Sequence, residues 1–227
     1  MTNMSYGQFC PLAMAAEIIC TRWTPLVLRE LLCGSTRFND LRRGLPKMSP
    51  ALLSRRLKEL EETGVVEVRR GDGGPEYRLT AAGQDLRPFV EAMMLWGHAW
   101  VDKEVTLGQL DPSLLMWDIR RGIRPDPPLP ARRTVQFLYP ELSQADRNWW
   151  LVLEGSDVEL CRVDPGNDID LLVTGSLRSV TSVWMGLSRL QQEMAARKVQ
   201  IDGDPVLARA MGRWLESHPM NKAPRRV

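Results

Sequence analysis

Residues 37–77, RFNDLRRGLPKMSPALLSRRLKELEETGVVEVRRGDGGPEY, constrain the fold more than any other part of the chain. Gly44 and Pro46, in Gly44-Leu45-Pro46-Lys47-Met48, stop a short helix, because glycine and proline together break helical geometry. Ser49 then stands at an N-cap with Pro50 at the first helical position, where its missing N–H costs nothing. Leu53, Leu57 and Leu60 fall at i, i+4 and i+7, with Leu52 beside them, so one face of this second helix is buried. Ala51, Ser54, Arg55, Lys58 and Glu62 lie on the opposite face, and Gly64 ends the helix as a C′ glycine. Val66 and Val68 alternate with Glu67 and Arg69. Tyr77 and Leu79 repeat the pattern after Gly71-Asp72-Gly73-Gly74-Pro75, which predicts two paired strands. Helix, turn, helix and β-wing describe a winged helix-turn-helix.

Charge points the same way. Between Arg22 and Lys58 there are nine cations against Glu30 and Asp40, a local balance of +7 in a chain whose net charge is only +2. A solvated helix face would also be rich in cations, but here the basic patch coincides with the motif, which is the electrostatic footprint of phosphate binding. The expected contacts are Arg37, Ser49, Ser54, Arg55 and Lys58, with Arg69 and Arg70 on the wing, and the expected partner is double-stranded DNA.

The segment CPLAMAAEIICTRWTPLVLRELLCGSTRFNDLRRGLPKMSPALLSRRLKELEETGVVEVRR, closed by EYRLTAAG, resembles the HxlR-type transcriptional regulators. The similarity covers about residues 8–100 and rests on Cys10-Pro11, Trp23, Arg29-Glu30-Leu31, Gly34, Arg37-Phe38-Asn39, Ser49, Leu57 to Leu60, Gly64 and Tyr77-Arg78-Leu79-Thr80. Cys20-Thr21 stands where a glycine-containing turn is usual. The resemblance implies a bacterial, dimeric DNA-binding protein, and it gives Cys10 the role of a sensor of oxidants or electrophiles. Cys10 precedes Pro11 at a helix start, where the helix dipole favours thiolate; an inert packed thiol is the other reading. Cys20 and Cys33 lie in apolar helices and are expected to be buried.

The composition allows ordinary hydrophobic cores: 227 residues, 44% apolar and 26% charged. The first residues lack a cationic segment followed by an apolar one, and no apolar run approaches the roughly 20 residues of a membrane helix. The expectation is a cytoplasmic protein without membrane contact. Four cysteines without C-x-x-C spacing and two separated histidines, His98 and His218, give no disulfide framework and no metal site. Nucleophile elbow, paired catalytic carboxylates and phosphate-binding glycine loop are all missing from the sequence, so neither an enzyme nor a cofactor is expected.

Two helices are predicted near the N-terminus, Pro11 to Cys20 with Leu12, Ala15, Ala16 and Ile19 inward, and Thr24 to Leu32. From Ala81 to Lys103 a long helix carries Phe89, Met93, Trp96 and Trp100 in an apolar stripe broad enough to pair with its copy in a homodimer. A domain boundary is expected near residue 106, giving a DNA-binding and dimerisation domain over 1–106 and a second domain over 107–227. Asp111-Pro112 starts a helix ending near Arg121, and Arg124-Pro125-Asp126-Pro127-Pro128-Leu129-Pro130 reads as a stiff connector. Strands are predicted at 134–138, 149–153, 158–163 and 169–173, and Ser176 and Asp204 are expected to cap helices.

IDLLVTGSLRSVTSVWMG followed by VQIDGDPVLARAMGRWL resembles the sterol-carrier-protein fold, over about residues 132–216. That resemblance implies an apolar pocket for a hydrophobic small-molecule effector, lined by Trp149, Leu151, Val173, Trp184, Met185 and Leu187; the same residues could instead fill a core. The expected class is therefore α+β: an N-terminal winged helix-turn-helix with a long dimerisation helix, then an α/β sterol-carrier-like domain. Two functions are compatible with it. One is an effector- or redox-responsive DNA-binding regulator; the other is a hydrophobic-ligand carrier whose winged helix serves only for dimerisation. A dimerisation module has no use for Ser54, Arg55 and Lys58 pointing outward together, which favours the regulator.

Overall fold

The computed structural model describes residues 5–71, 73–126 and 128–226. Asp72 of the wing turn and Pro127 of the proline-rich connector lie outside the described residues. The chain divides into two compact units, 1–94 and 95–227.

The first unit begins with α1 (Pro11–Ile19), α2 (Thr24–Leu32), α3 (Phe38–Gly44) and α4 (Pro50–Glu62). Strands β1 (Val66–Gly71) and β2 (Gly74–Leu79) follow as an antiparallel hairpin, with Val66 opposite Leu79 and Val68 opposite Tyr77. Val27, Leu28, Leu41, Leu53, Leu57, Leu60 and Val66 form the core of this unit. Each leucine removed from water there contributes about 1.5–3 kcal/mol. Gly64 takes φ 73°, the left-handed conformation that a β-carbon disfavours, so the chain can leave α4 and enter β1. Before α2, Trp23 lies in the left-handed region at φ 79°, whereas Cys20, where a glycine-containing turn was the expectation, keeps an ordinary φ of -90°.

Three sequence expectations are corrected in this region. Helix α1 does not turn Leu12 and Ala15 inward: Leu12 is 77% exposed, Ala15 is exposed, and only Ile19 is buried. The amphipathic pattern is real, but its apolar face is not covered by the described residues. Cys20 and Cys33, expected to be buried, are exposed, because they are the C-cap residues where α1 and α2 turn away from the core. The helix expected over 81–103 is two helices, α5 (Ala81–Gln84) and α6 (Arg87–Trp100), and a further helix, α7 (Lys103–Leu107), begins at its expected end. The Thr80 hydroxyl accepts from the Gly83 N–H at 3.2 Å and donates to the Gly64 carbonyl at 2.7 Å, which ties α5 to the end of α4. Pro88 lies in the first turn of α6, where its missing N–H is harmless. Asp102 restarts the helix by accepting from the Glu104 N–H at 2.7 Å.

In the second unit, α8 (Pro112–Gly122) is capped by Asp111 and leads through the proline-rich segment into β3 (Leu129–Leu138). Then come β4 (Asn148–Gly155), β5 (Asp157–Cys161), β6 (Leu171–Gly175), α9 (Leu177–Trp184), α10 (Leu190–Ala195), β7 (Val199–Gly203) and α11 (Pro205–Leu215). The sheet order is β5-β4-β3-β6-β7, with β3 and β6 parallel and the other neighbours antiparallel. Ser176 caps α9 and Asp204 caps α11 through their side chains. Val135, Phe137, Trp149, Leu151 and Val173 on one sheet face pack against Met116, Ile119, Val180, Leu207 and Met211 from the helices. Helix α9 ends at Trp184, so Leu187 lies beyond the helix it was expected to share with Val180. The fold is thus a mixed α+β arrangement of a winged helix-turn-helix and an α/β unit. Among the described residues, no helix is long and apolar enough to cross a membrane.

Candidate nucleic-acid interface

Helix α4 starts where Ser49 accepts a hydrogen bond from the Leu52 N–H at 3.3 Å, and Pro50 follows in the first turn. Because Leu53, Leu57 and Leu60 are held in the core, the 3.6-residue repeat sends Ser54, Arg55 and Lys58 to solvent, and all three are exposed. Arg55 approaches Glu59 at 3.7 Å and Lys58 approaches Glu62 at 3.6 Å, both as i,i+4 pairs on the helix surface. Exposed pairs of this kind contribute only about 0–1 kcal/mol, so a phosphate or base edge can displace them at small cost. The chemistry on this face is a hydroxyl, a five-donor guanidinium and an ammonium, suited to guanine edges and phosphate oxygens.

The wing carries Arg69 and Arg70, both exposed. Arg69 pairs with Glu67 at 2.7 Å, and Arg70 stands opposite Pro75 beside the turn. Arg37, at the N-cap of α3, reaches the wing turn. Its guanidinium donates to the carbonyls of Gly73 and Gly74 at 3.0 and 2.7 Å and pairs with Glu76 at 2.9 Å.

A second arrangement, missed in the sequence, braces the helix-turn-helix from inside. Glu30 is completely buried; Arg29 donates to its carboxylate at 2.7 and 3.2 Å and also to the Gly44 carbonyl at 3.1 Å. The Ser35 hydroxyl donates to the other Glu30 oxygen at 3.4 Å. Consecutive Arg-Glu residues on a helix normally face different directions, so only the fold shows that both meet the α3 terminus. An internal glycine two residues before Pro46 was the available signal.

The remaining candidates are distributed as follows. Cys10 is the exposed N-cap of α1, and the Ala13 and Leu12 backbone N–H groups lower its pKa by favouring thiolate. On α6, Met93, Trp96 and Trp100 are 48%, 64% and 47% exposed, while Phe89 is half-buried against the first core. Trp149, Leu151, Val173 and Trp184, expected around a pocket, belong to the packed core of the second unit; Met185 packs at its edge and Leu187 is half-buried.

Residues 18–105 match the model of the HxlR-like helix-turn-helix family. The chain is 38% identical over 103 residues to the uncharacterized HTH-type transcriptional regulator YvaP of Bacillus subtilis (strain 168), covering 44% of this chain and 95% of YvaP. It is 35% identical over 101 residues to the uncharacterized HTH-type transcriptional regulator sll1512 of Synechocystis, covering 43% of this chain and 75% of the relative. Among solved structures, it is similar to the reduced form of the transcriptional regulator YodB from B. subtilis, at 28% identity and TM-score 0.37, over 42% of this chain and 98% of that one. These relatives are named as transcriptional regulators. With the buried leucine face of α4, its exposed basic face and the β-wing on the same hundred residues, the chain belongs to the HxlR-like helix-turn-helix family of DNA-binding transcriptional regulators.

Proposed function

We propose that this regulator binds a specific, two-fold symmetric DNA site as a homodimer, and that modification of Cys10 or an apolar effector tunes its affinity. The observation that carries the reading is the exposed trio Ser54, Arg55 and Lys58 on a helix whose other face is locked in the core. In this reading α4 enters the major groove, Ser49 and Lys58 hold the backbone, Ser54 and Arg55 meet base edges, and Arg69 and Arg70 reach the flanking phosphates. Residues 1–106 serve DNA binding and dimerisation, and residues 107–227 form the effector domain. The uncovered apolar residues support a two-fold partner: Met93, Trp96 and Trp100 on α6, with Phe9 and Leu12 at 98% and 77% exposure around the start of α1.

A sterol-carrier-like role for the second unit is supported by its mixed sheet with helices packed on one face, and by the indole N–H of Trp184. That N–H is buried and has no hydrogen-bond partner among the described residues. An unpaired buried donor costs about 1–3 kcal/mol, which an apolar compound carrying one acceptor would recover. To regulate, the compound must bind one conformation better than another. The test of the proposal is fluorescence anisotropy of the full chain on a selected duplex across salt concentrations, repeated after a thermal-shift screen of lipophilic compounds. Arg70→Ala should weaken binding to all sequences and lower the magnitude of the salt slope by about 1, the share of one phosphate. A stabilising compound should also change affinity, and Trp184→Ala should weaken both effects.

A further inference from the structure

The wing is a two-stranded hairpin, and such a ribbon has little stability of its own. Its direction must be set by what it leans on. Arg37, the N-cap of α3, supplies that support in three ways. The residue forms an isolated antiparallel bridge with Glu76 through its backbone, and next to it the Tyr77 N–H donates to the Thr36 carbonyl at 2.8 Å. Its guanidinium holds both turn carbonyls, Gly73 and Gly74, at 3.0 and 2.7 Å. Its other amino group meets the Glu76 carboxylate at 2.9 Å, and a β-carbon on Gly73 would stand 2.9 Å from that same nitrogen, so the turn is shaped to fit.

The hairpin register then decides what this clamp controls. Glu76 lies opposite Arg69, and Pro75 lies opposite Arg70. The Glu76 position held by Arg37 is thus directly across the ribbon from Arg69, and the held carbonyls of Gly73 and Gly74 belong to the turn that adjoins Pro75, the partner of Arg70. Glu76 itself is shared with Arg78 at 2.9 Å. Its carboxyl sits below the ordinary carboxylate range, through the Arg78 hydrogen bond and the nearby Arg37 charge, so it stays ionised.

We propose that Arg37 is not a phosphate ligand but a positioning residue, which fixes the wing arginines Arg69 and Arg70 relative to helix α4 through Glu76 and the wing turn. This rests on the reading that α4 and the wing contact DNA together. Simple electrostatics and the clamp make opposite statements about Glu76. Removing a negative charge from a DNA-facing wing should tighten binding; removing half of the clamp should loosen it.

The experiment has two arms on the full-length protein. In the first, amide hydrogen exchange of the free protein compares wild type with Arg37→Lys, Arg37→Ala and Glu76→Gln. Faster exchange confined to residues 66–79, with α4 unchanged, is the expected result; unchanged wing exchange overturns the clamp. In the second, operator affinities are measured for Arg37→Ala, Arg70→Ala, their double variant and Glu76→Gln. Coupled residues are non-additive. Each single variant should therefore lose about three- to tenfold, and the double variant no more than about twofold beyond the worse single. Glu76→Gln should weaken binding. Multiplying losses in the double variant, or tighter binding by Glu76→Gln, would make Arg37 a direct contact and overturn the proposal. If wild type selects no DNA, the underlying reading fails and the positioning role fails with it, whereas the exchange arm still reads the clamp itself.

Discussion

The carboxylate of Glu30 occupies the space in which a side chain on Gly44 would stand. Glu30 has no exposure to solvent, and Arg29 joins the two sites by donating to the carboxylate and to the Gly44 carbonyl. This arrangement fixes the end of α3 and hence the turn that aims α4. Gly44→Ala forces the buried carboxylate to move, and overpacking a tight site costs about 1–3 kcal/mol. The urea midpoint should fall by the corresponding amount with an unchanged slope. A midpoint equal to wild type would show that the turn does not depend on this contact.

Why was some of this legible in the sequence and some not? Helix α4 was fully readable, because Ser49, Pro50, the leucine repeat and Gly64 are local signals that agree. The mixed sheet's helix caps at Asp111, Ser176 and Asp204 were readable for the same reason. Helix α1 was misread because periodicity shows that a face is apolar, not whose atoms cover it. Over 81–103 the apolar stripe runs on across the break between Gln84 and Arg87, so periodicity does not show that α5 ends there and α6 begins anew. Composition alone does not distinguish a cation that faces DNA from one engaged within the fold, as Arg37 is with the wing turn and Glu76. The same limit applies to Trp149 and Trp184, whose spacing says inward and cannot tell a cavity from a core.

The exposed stripe of α6 sets the assembly prediction. Replacing Met93 and Trp100 by aspartate places two charges where the proposed two-fold interface would desolvate them. Sedimentation should show a wild-type dimer at micromolar concentration and a folded, monomeric double variant with reduced DNA affinity. A wild-type monomer would remove the stripe from the assembly.

Cys10 and Cys161 should react very differently. Backbone N–H groups of Ala13 and Leu12 lower the Cys10 pKa, whereas burial raises that of Cys161. Thiolate is the reactive form, so Cys10 should stay reactive at a pH below the ordinary thiol midpoint of about 8.5, and Cys161 should lag above it. Mass spectrometry of timed alkylation at neutral pH should show Cys10 modified first, with a matching change in DNA affinity that Cys10→Ser abolishes. Uniform, slow labelling of the folded protein would leave Cys10 a structural residue.

His98 predicts an acid dependence of the second unit. Burial, and then the Arg225 charge, hold its pKa below the ordinary value. Arg225 donates to the carbonyls of His98 and Val101 at 2.8 and 2.9 Å, which keeps its guanidinium close. A depressed folded-state pKa means the neutral ring is favoured on folding. Its stability contribution is complete above the unfolded value near 6.5 and is lost as pH falls through the lower folded value. Thermal unfolding should show the melting temperature falling below about pH 6.5. His98→Asn, which cannot protonate there, should flatten that fall; an identical pH profile in the variant would exclude His98 as its source.

The central claim is that α4 reads DNA sequence through Arg55, and selection of bound fragments from random duplex DNA tests it most directly. An arginine on guanine contributes about 1–3 kcal/mol of discrimination. Wild type should enrich a two-fold symmetric sequence with half-sites about 34 Å apart, one turn of the duplex. Arg55→Ala should still enrich DNA but lose preference at one position in each half-site. Failure of wild type to enrich any sequence, or an identical enriched sequence from Arg55→Ala, would contradict it.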